Sequence, residues 1–164
     1  MKITEDSVFY TLAYNTIKAE GERLEAFCAE LDKNPELKKK QIAEYKCAKY
    51  RYAGVSVLHS VLYNNNRCRK LHDLAYTNYL LLQFNEYMKN HKEYFPLYEA
   101  APESEKPDYS LYYGMLAFAE KQMLELEAKL PFANDWERVE LTERLGGWLF
   151  GVNCLHEAWK KRGE

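Results

Sequence analysis

The sequence predicts an all-α fold: a single-domain antiparallel bundle of about five helices, with the second helix at its centre. Three observations carry this. Apolar residues recur at spacings of three and four along most of the chain, the period of one helix face. No charge falls between Arg51 and Arg67, and within that span Val55, Leu58 and Leu62 share one arc of a helix while Val57 and Val61 share another. A helix apolar on more than one face is buried on most sides. Asparagine and proline then punctuate the chain into helix-length segments.

Length and composition agree with this. The chain has 164 residues, enough to bury a core without disulfides or metals, and its 47% hydrophobic and 29% charged residues are ordinary for a globular protein. Tyrosine is the outlier at 14 residues, a side chain suited to half-buried positions and contact surfaces. Acids stand where a signal peptide would carry its apolar stretch, no run approaches a membrane span, and the four cysteines are scattered. The expectation is a cytoplasmic protein with reduced thiols and no membrane association.

The first helix is expected over about 4–32. Thr4 starts it, Glu5 and Asp6 suit the positive end of the helix dipole, and Tyr10, Ala13, Ile17, Leu24, Phe27 and Leu31 form one stripe, with Gly21 opposite. Asn34-Pro35 opens the second helix, a capping residue followed by the residue best tolerated at the first helical position. It is expected to run to Tyr63 and to end at Asn64-Asn65-Asn66. The third helix is expected over 67–92. Tyr94 to Asp108 contains Pro96, Pro102 and Pro107 and reads as a loop. Asp108 caps a fourth helix over 108–130, before Pro131. Asn134 with Glu137 forms a capping box for a fifth over 134–161, in which Gly146-Gly147 predicts a kink.

Each helix has one uncharged portion, and under up-and-down wiring those of helices 1 and 2, and of helices 4 and 5, come together. The sequence therefore predicts one uncharged, tyrosine-rich pole and one charged pole. At the uncharged pole, Tyr10, Tyr14, Tyr112, Tyr113, Trp148 and Trp159 are the candidate protein-binding residues, since rings in excess of what one bundle layer hides make a contact site. Gly147-Trp-Leu-Phe-Gly151 is a G-x-x-x-G in a helix, a spacing that lets a neighbouring helix approach closely.

Charge is partitioned. Residues 33–70 carry +8 and the remainder −10, for a formal net charge of −2. Lys38, Lys39, Lys46 and Lys49 share one helix face, and Arg67, Arg69 and Lys70 open the next helix. A basic hairpin of this kind binds phosphate backbones, with Tyr45 or Tyr50 placed to stack on bases. The four histidines lack the spacing of a metal site, and no cofactor motif is present, so neither a metal nor a cofactor is expected. Arg67-Cys-Arg-Lys-Leu-His72 is an Arg-x4-His sequence that resembles the motif of HEPN-type helical ribonucleases. That resemblance implies acid/base cleavage of RNA by His72, with Arg67 holding the phosphate.

The leading functional reading is a non-catalytic protein that binds another macromolecule, as an adaptor, inhibitor or regulator, through aromatic and charged helix surfaces. Its expected partner is a protein, with a second copy of the chain as one form of it. Nucleic-acid binding through the basic hairpin and the ribonuclease are the alternatives.

Overall fold

A computed structural model describes residues 7–70, 74–94, 96, 100–102 and 110–162. Its described elements are helical: α1 (Ser7–Asp32), α2 (Pro35–Lys40), α3 (Ile42–Lys70), α4 (Leu74–Asn90), α5 (Ser110–Lys129) and α6 (Asp135–Lys161), with single 3-10 turns at Lys92–Tyr94 and Leu130–Phe132. The two starts written most plainly in the sequence are present in detail. The Asn34 side chain accepts from the Leu37 amide at 3.2 Å with Pro35 at the first position. Asn134 and Glu137 form the reciprocal capping box, with the Glu137 amide 2.9 Å from Asn134 Oδ1. The expected starts at Thr4 and Asp108, and most of the 94–108 connection, lie outside the described residues.

Two boundaries differ from the sequence reading. The helix expected over 35–63 breaks at Gln41, giving six helices among the described residues where five were expected. Asp32 at the end of α1 accepts from Lys38 at 2.8 Å and from Tyr45 at 2.9 Å, which ties both sides of the break to one carboxylate. Conversely, Asn64-Asn65-Asn66 does not end a helix, and α3 runs through it to Lys70. Asn65 and Asn66 are buried, and the Asn65 amide donates to the Val61 carbonyl at 2.7 Å, so the side chain bonds within the helix instead of opening it.

The core joins Phe9, Ala13 and Ile17 of α1, Val55, Leu58 and Leu62 of α3, Met115 and Ala119 of α5, and Leu155 of α6. Helix α3 touches each of the other five helices and is the centre of the bundle, as its uncharged run predicts. Its second arc is less buried than expected: Val61 is half-buried and Val57 is 43% exposed. Helices α1 and α3 run antiparallel, since Asp32 meets Tyr45 while Tyr14 meets His59 and Tyr63. Helices α5 and α6 are also antiparallel, Tyr112 meeting His156 and Phe118 meeting Trp148.

Glycine dictates the α3–α6 crossing. A Cβ on Gly147 would land on the Arg51 carbonyl oxygen, one on Gly54 would lie 2.8 Å from the Arg144 carbonyl oxygen, and one on Gly151 would run into Leu58. Gly147 faces Arg51 and Gly151 faces Leu58, so these two helices cross in parallel. The predicted kink at Gly146-Gly147 is absent, because α6 is continuous and its glycines serve close approach instead. Beside the crossing, Glu20 of α1 holds Arg23 at 2.7 Å and lies 3.5 Å from Arg51 of α3. The Arg23 bond foremost keeps the Glu20 carboxyl below its ordinary range. Gly21 does not lie opposite the core stripe: it faces Tyr52 and Val55, 3.8 Å from where its Cβ would be, an ordinary packing distance.

The glycines therefore separate in a mutational test. Gly147→Ala should destabilise the protein by about 1–3 kcal/mol, because a backbone oxygen cannot step aside cheaply. Gly21→Ala should stabilise it by up to about 1 kcal/mol, since helix propensity improves and the space is there. Leu58→Ala should cost about 2–5 kcal/mol and exposed Lys39→Ala less than about 0.5. Denaturant midpoints read all four, and equal effects at Gly147 and Gly21 would rule out the crossing as described.

Candidate binding surfaces

The uncharged helix portions meet at one pole. Tyr10 stacks on Tyr14 at 5.3 Å, and Tyr14 lies 4.8 Å from the His59 ring and 6.1 Å from Tyr63. Across the bundle Tyr112 stacks on Trp159 at 4.3 Å, Phe9 abuts both rings, and Tyr113 packs on Tyr112, Trp159 and Tyr87. Of the six aromatic candidates, Tyr112 and Trp148 are buried, and Tyr10, Tyr14, Tyr113 and Trp159 are half-buried. Trp148 stands apart from the pole, between Phe118 and Gly54. These rings largely cover one another.

Two tyrosine–histidine contacts lie inside this pole, Tyr14 with His59 ring on ring and Tyr112 with His156 through the hydroxyl. The Tyr112 hydroxyl and His156 Nδ1 are 2.6 Å apart, and burial raises the Tyr112 phenol well above its ordinary value. Burial likewise pushes the Tyr10 phenol up to about 12, with Tyr14 and Tyr63 adding to the effect. Both His59 and His156 are held below the ordinary imidazole range, by burial first and then by Lys18 and Lys160 respectively. All four cysteines are free, and burial pushes the Cys154 thiol up to about 11.

The basic residues do not assemble into one hairpin. Lys38 bonds Asp32 and sits 4.3 Å over the Tyr45 ring, Lys49 lies 5.4 Å from that ring, and Lys46 lies 4.7 Å over Trp136. Three of the four lysines of the face are thus engaged within the protein, while Lys39 is exposed. Arg67 lies in the last turn of α3, not at a helix start, and at 1.5 Å per residue it stands about 30 Å along the axis from Lys46. The side chains of Arg69 and Lys70, and all of His72, lie outside the described residues.

Sequence reasoning missed the most exposed aromatic residues. Phe132 is 89% and Trp136 69% exposed, with Val139 of α6 and Ile42 of α3 each just over 40%. Ile42 precedes Lys46 by one helical turn, and Lys46 covers Trp136, so these side chains make one patch at the charged end. Trp136 lies three turns before Gly147 on nearly the same face of α6, so periodicity counts it as core. At that level a long lysine, not an apolar residue, fills the gap between α3 and α6.

Grooves flank the second half of α5. One, of about 480 Å³, runs between Gln83–His91, at the end of α4, and Ala117–Ala128 on α5. A second, of about 250 Å³, shares Tyr87, Glu120 and Leu124 with it and reaches Val152 and His156 of α6. Among the described residues no cluster of three or more histidines, cysteines or acids is placed to hold a metal ion, and no helix is long and apolar enough to cross a membrane. Compared with known protein families, curated proteins and solved structures, the chain matches none.

The histidines give a pH test. Their folded-state pKa values lie below the unfolded value, so as pH falls through about 6.5 the unfolded chain takes up protons first and stability is lost. The loss ends once the folded imidazoles also titrate. Urea midpoints should therefore drop between pH 7.5 and 5.5, and a His59→Gln/His156→Gln variant should show a flatter profile. An unchanged slope in that variant would rule out these two groups as the cause.

Proposed function

We propose that the chain is a non-catalytic macromolecule-binding protein, an adaptor, inhibitor or regulator, whose partner is another protein engaged through aromatic and charged helix surfaces. The exposure of Phe132 and Trp136, with Ile42 and Val139 each just over 40% exposed, carries this reading. Two large rings stand mostly in water in a bundle that buries many others. Aromatic anchors combine large buried area with low entropy loss and dominate the energetics of protein interfaces. Lys46 over Trp136 adds a cation at the same place, and the mixed charges of α2 and the start of α6 supply a polar rim. The half-buried rings at the opposite pole, Tyr10, Tyr14, Tyr113 and Trp159, offer less free surface, since they stack on neighbours.

The test is affinity purification from the native cell, with and without nuclease, using the wild type and a Phe132→Ser/Trp136→Ser variant. A protein retained after nuclease by the wild type, and at least tenfold weaker with the variant, is the expected result; each anchor should account for about 2 kcal/mol. Retention that disappears with nuclease would move the function to nucleic acid. Equal retention by both chains would take the site away from this patch.

A further inference from the structure

The groove beside α5 differs in chemistry from the Phe132–Trp136 patch. The groove that reaches α6 carries Glu120 and Glu127 of α5 on its wall, and the adjoining groove toward α4 adds Glu86 and Glu125 against Lys121. The floor of the groove that reaches α6 is apolar: Leu116, Met123 and Val152 line it, and Leu124 stands 57% exposed at its edge. The α5 wall of the groove that reaches α6, from Leu116 to Glu127, spans about 17 Å, the length of three helical turns. An acidic rim around an apolar floor of that length is complementary to a short amphipathic segment bearing lysine or arginine on one face and aliphatic residues on the other. It repels a phosphate backbone.

We propose that this groove docks a basic amphipathic helix of a protein partner, with an aliphatic side chain seated against Leu124 and Val152 and cationic residues reaching Glu120 and Glu127. The proposal rests on the protein-binding reading above but names a separate surface and the chemistry of what it takes. Glu120 and Glu127 are seven residues apart on α5 and so flank two turns of the groove on nearly one line. A cation at each end of a two-turn segment would meet one of them. The apolar floor decides register, because a purely electrostatic contact would slide along the rim.

The probe is a fluorescein-labelled twelve-residue leucine/lysine peptide of amphipathic helical pattern, titrated into the full-length protein and followed by anisotropy. Controls replace every lysine by glutamate or every leucine by serine. The leucine/lysine peptide should bind and both controls should not. Glu120→Lys/Glu127→Lys should weaken binding at least tenfold, and so should Leu124→Ser in salt high enough to screen exposed charge. All three substituted positions are exposed, and circular dichroism with a denaturant midpoint confirms that the variants fold. Phe132→Ser/Trp136→Ser should leave peptide binding unchanged. No binding by the leucine/lysine peptide, or binding indifferent to the groove variants, overturns the proposal. If it fails while a partner is still lost on mutating Phe132 and Trp136, the functional reading stands and the groove inference alone falls. Salt-sensitive self-association abolished by Lys39→Glu/Lys40→Glu would name a second copy as occupant, and would equally overturn it.

Discussion

The contact between α3 and α6 governs this bundle. Three glycines, Gly54, Gly147 and Gly151, remove side chains where two backbones meet, and at two of them the opposing atom is a carbonyl oxygen. Close approach at one level fixes the crossing, and the crossing fixes the rest. Leu58 lies over Gly151 and is wholly buried, Trp148 turns against Phe118 of α5, and α1 packs along α3 with Ile17 and Ala13 against the same core. Glycine in a helix interior costs about 1 kcal/mol against alanine, and the burial made possible at the crossing offsets that cost. Gly21 gains nothing comparable, since an alanine would fit there.

Polarity follows from the same geometry. Parallel α3 and α6 bring their uncharged second halves to one end, where the first halves of α1 and α5 meet them. The rings at that end close on one another: Phe9, Tyr112 and Trp159 form a mutual cluster, and Tyr14 bridges Tyr10 to His59 and Tyr63. At the other end the helices carry their charged portions, and the gap is filled by lysine stems and ion pairs instead of core. Lys46 on Trp136 and Lys38 on Tyr45 show how this is done. The price of that end is exposed apolar surface, which is where Phe132 and Trp136 stand.

Much of this was legible in the residues. The all-α class, the capping box at Asn134, the Asn34-Pro35 start, the core arc Val55–Leu58–Leu62 and the uncharged pole all follow from period, caps and charge placement. What was not legible depends on three-dimensional context. Asn64-Asn65-Asn66 carries the composition of a helix exit, yet burial lets Asn65 bond the carbonyl one turn back and the helix continues. Gln41 has no breaker signature, and the break there coincides with Asp32 gripping residues on both sides of it. Trp136 has a core-facing phase but sits beyond the level at which α6 still meets packed apolar residues on α3. Periodicity names a face, and only tertiary distance decides whether a partner helix is still there to cover it.

The same distinction separates the binding surfaces. A tyrosine count argues for contact sites, but a half-buried ring stacked on another ring has already spent much of its area inside the monomer. Leu124 and Phe132 have not. Both lie at the second half of α5 and the turn after it, where α5 leaves the crossing and is flanked by grooves on either side. Glu86, Glu120, Glu125 and Glu127 with Lys121 line the grooves on one side of α5, whereas the groove toward Phe132 mixes Glu125, Glu137 and Glu140 with Lys129 and Arg144. The flanks of α5 thus differ in charge, and surfaces of different charge select different partner chemistry. A site for acid/base chemistry would instead need convergent groups. Tyr112 with His156, a hydroxyl 2.6 Å from an imidazole nitrogen, and Tyr14 with His59, a ring-on-ring contact, lie inside the packed pole, where burial first of all lowers both imidazoles below their ordinary range. Those pairs pack within the pole, whereas Leu124 and Phe132 stand exposed to solvent.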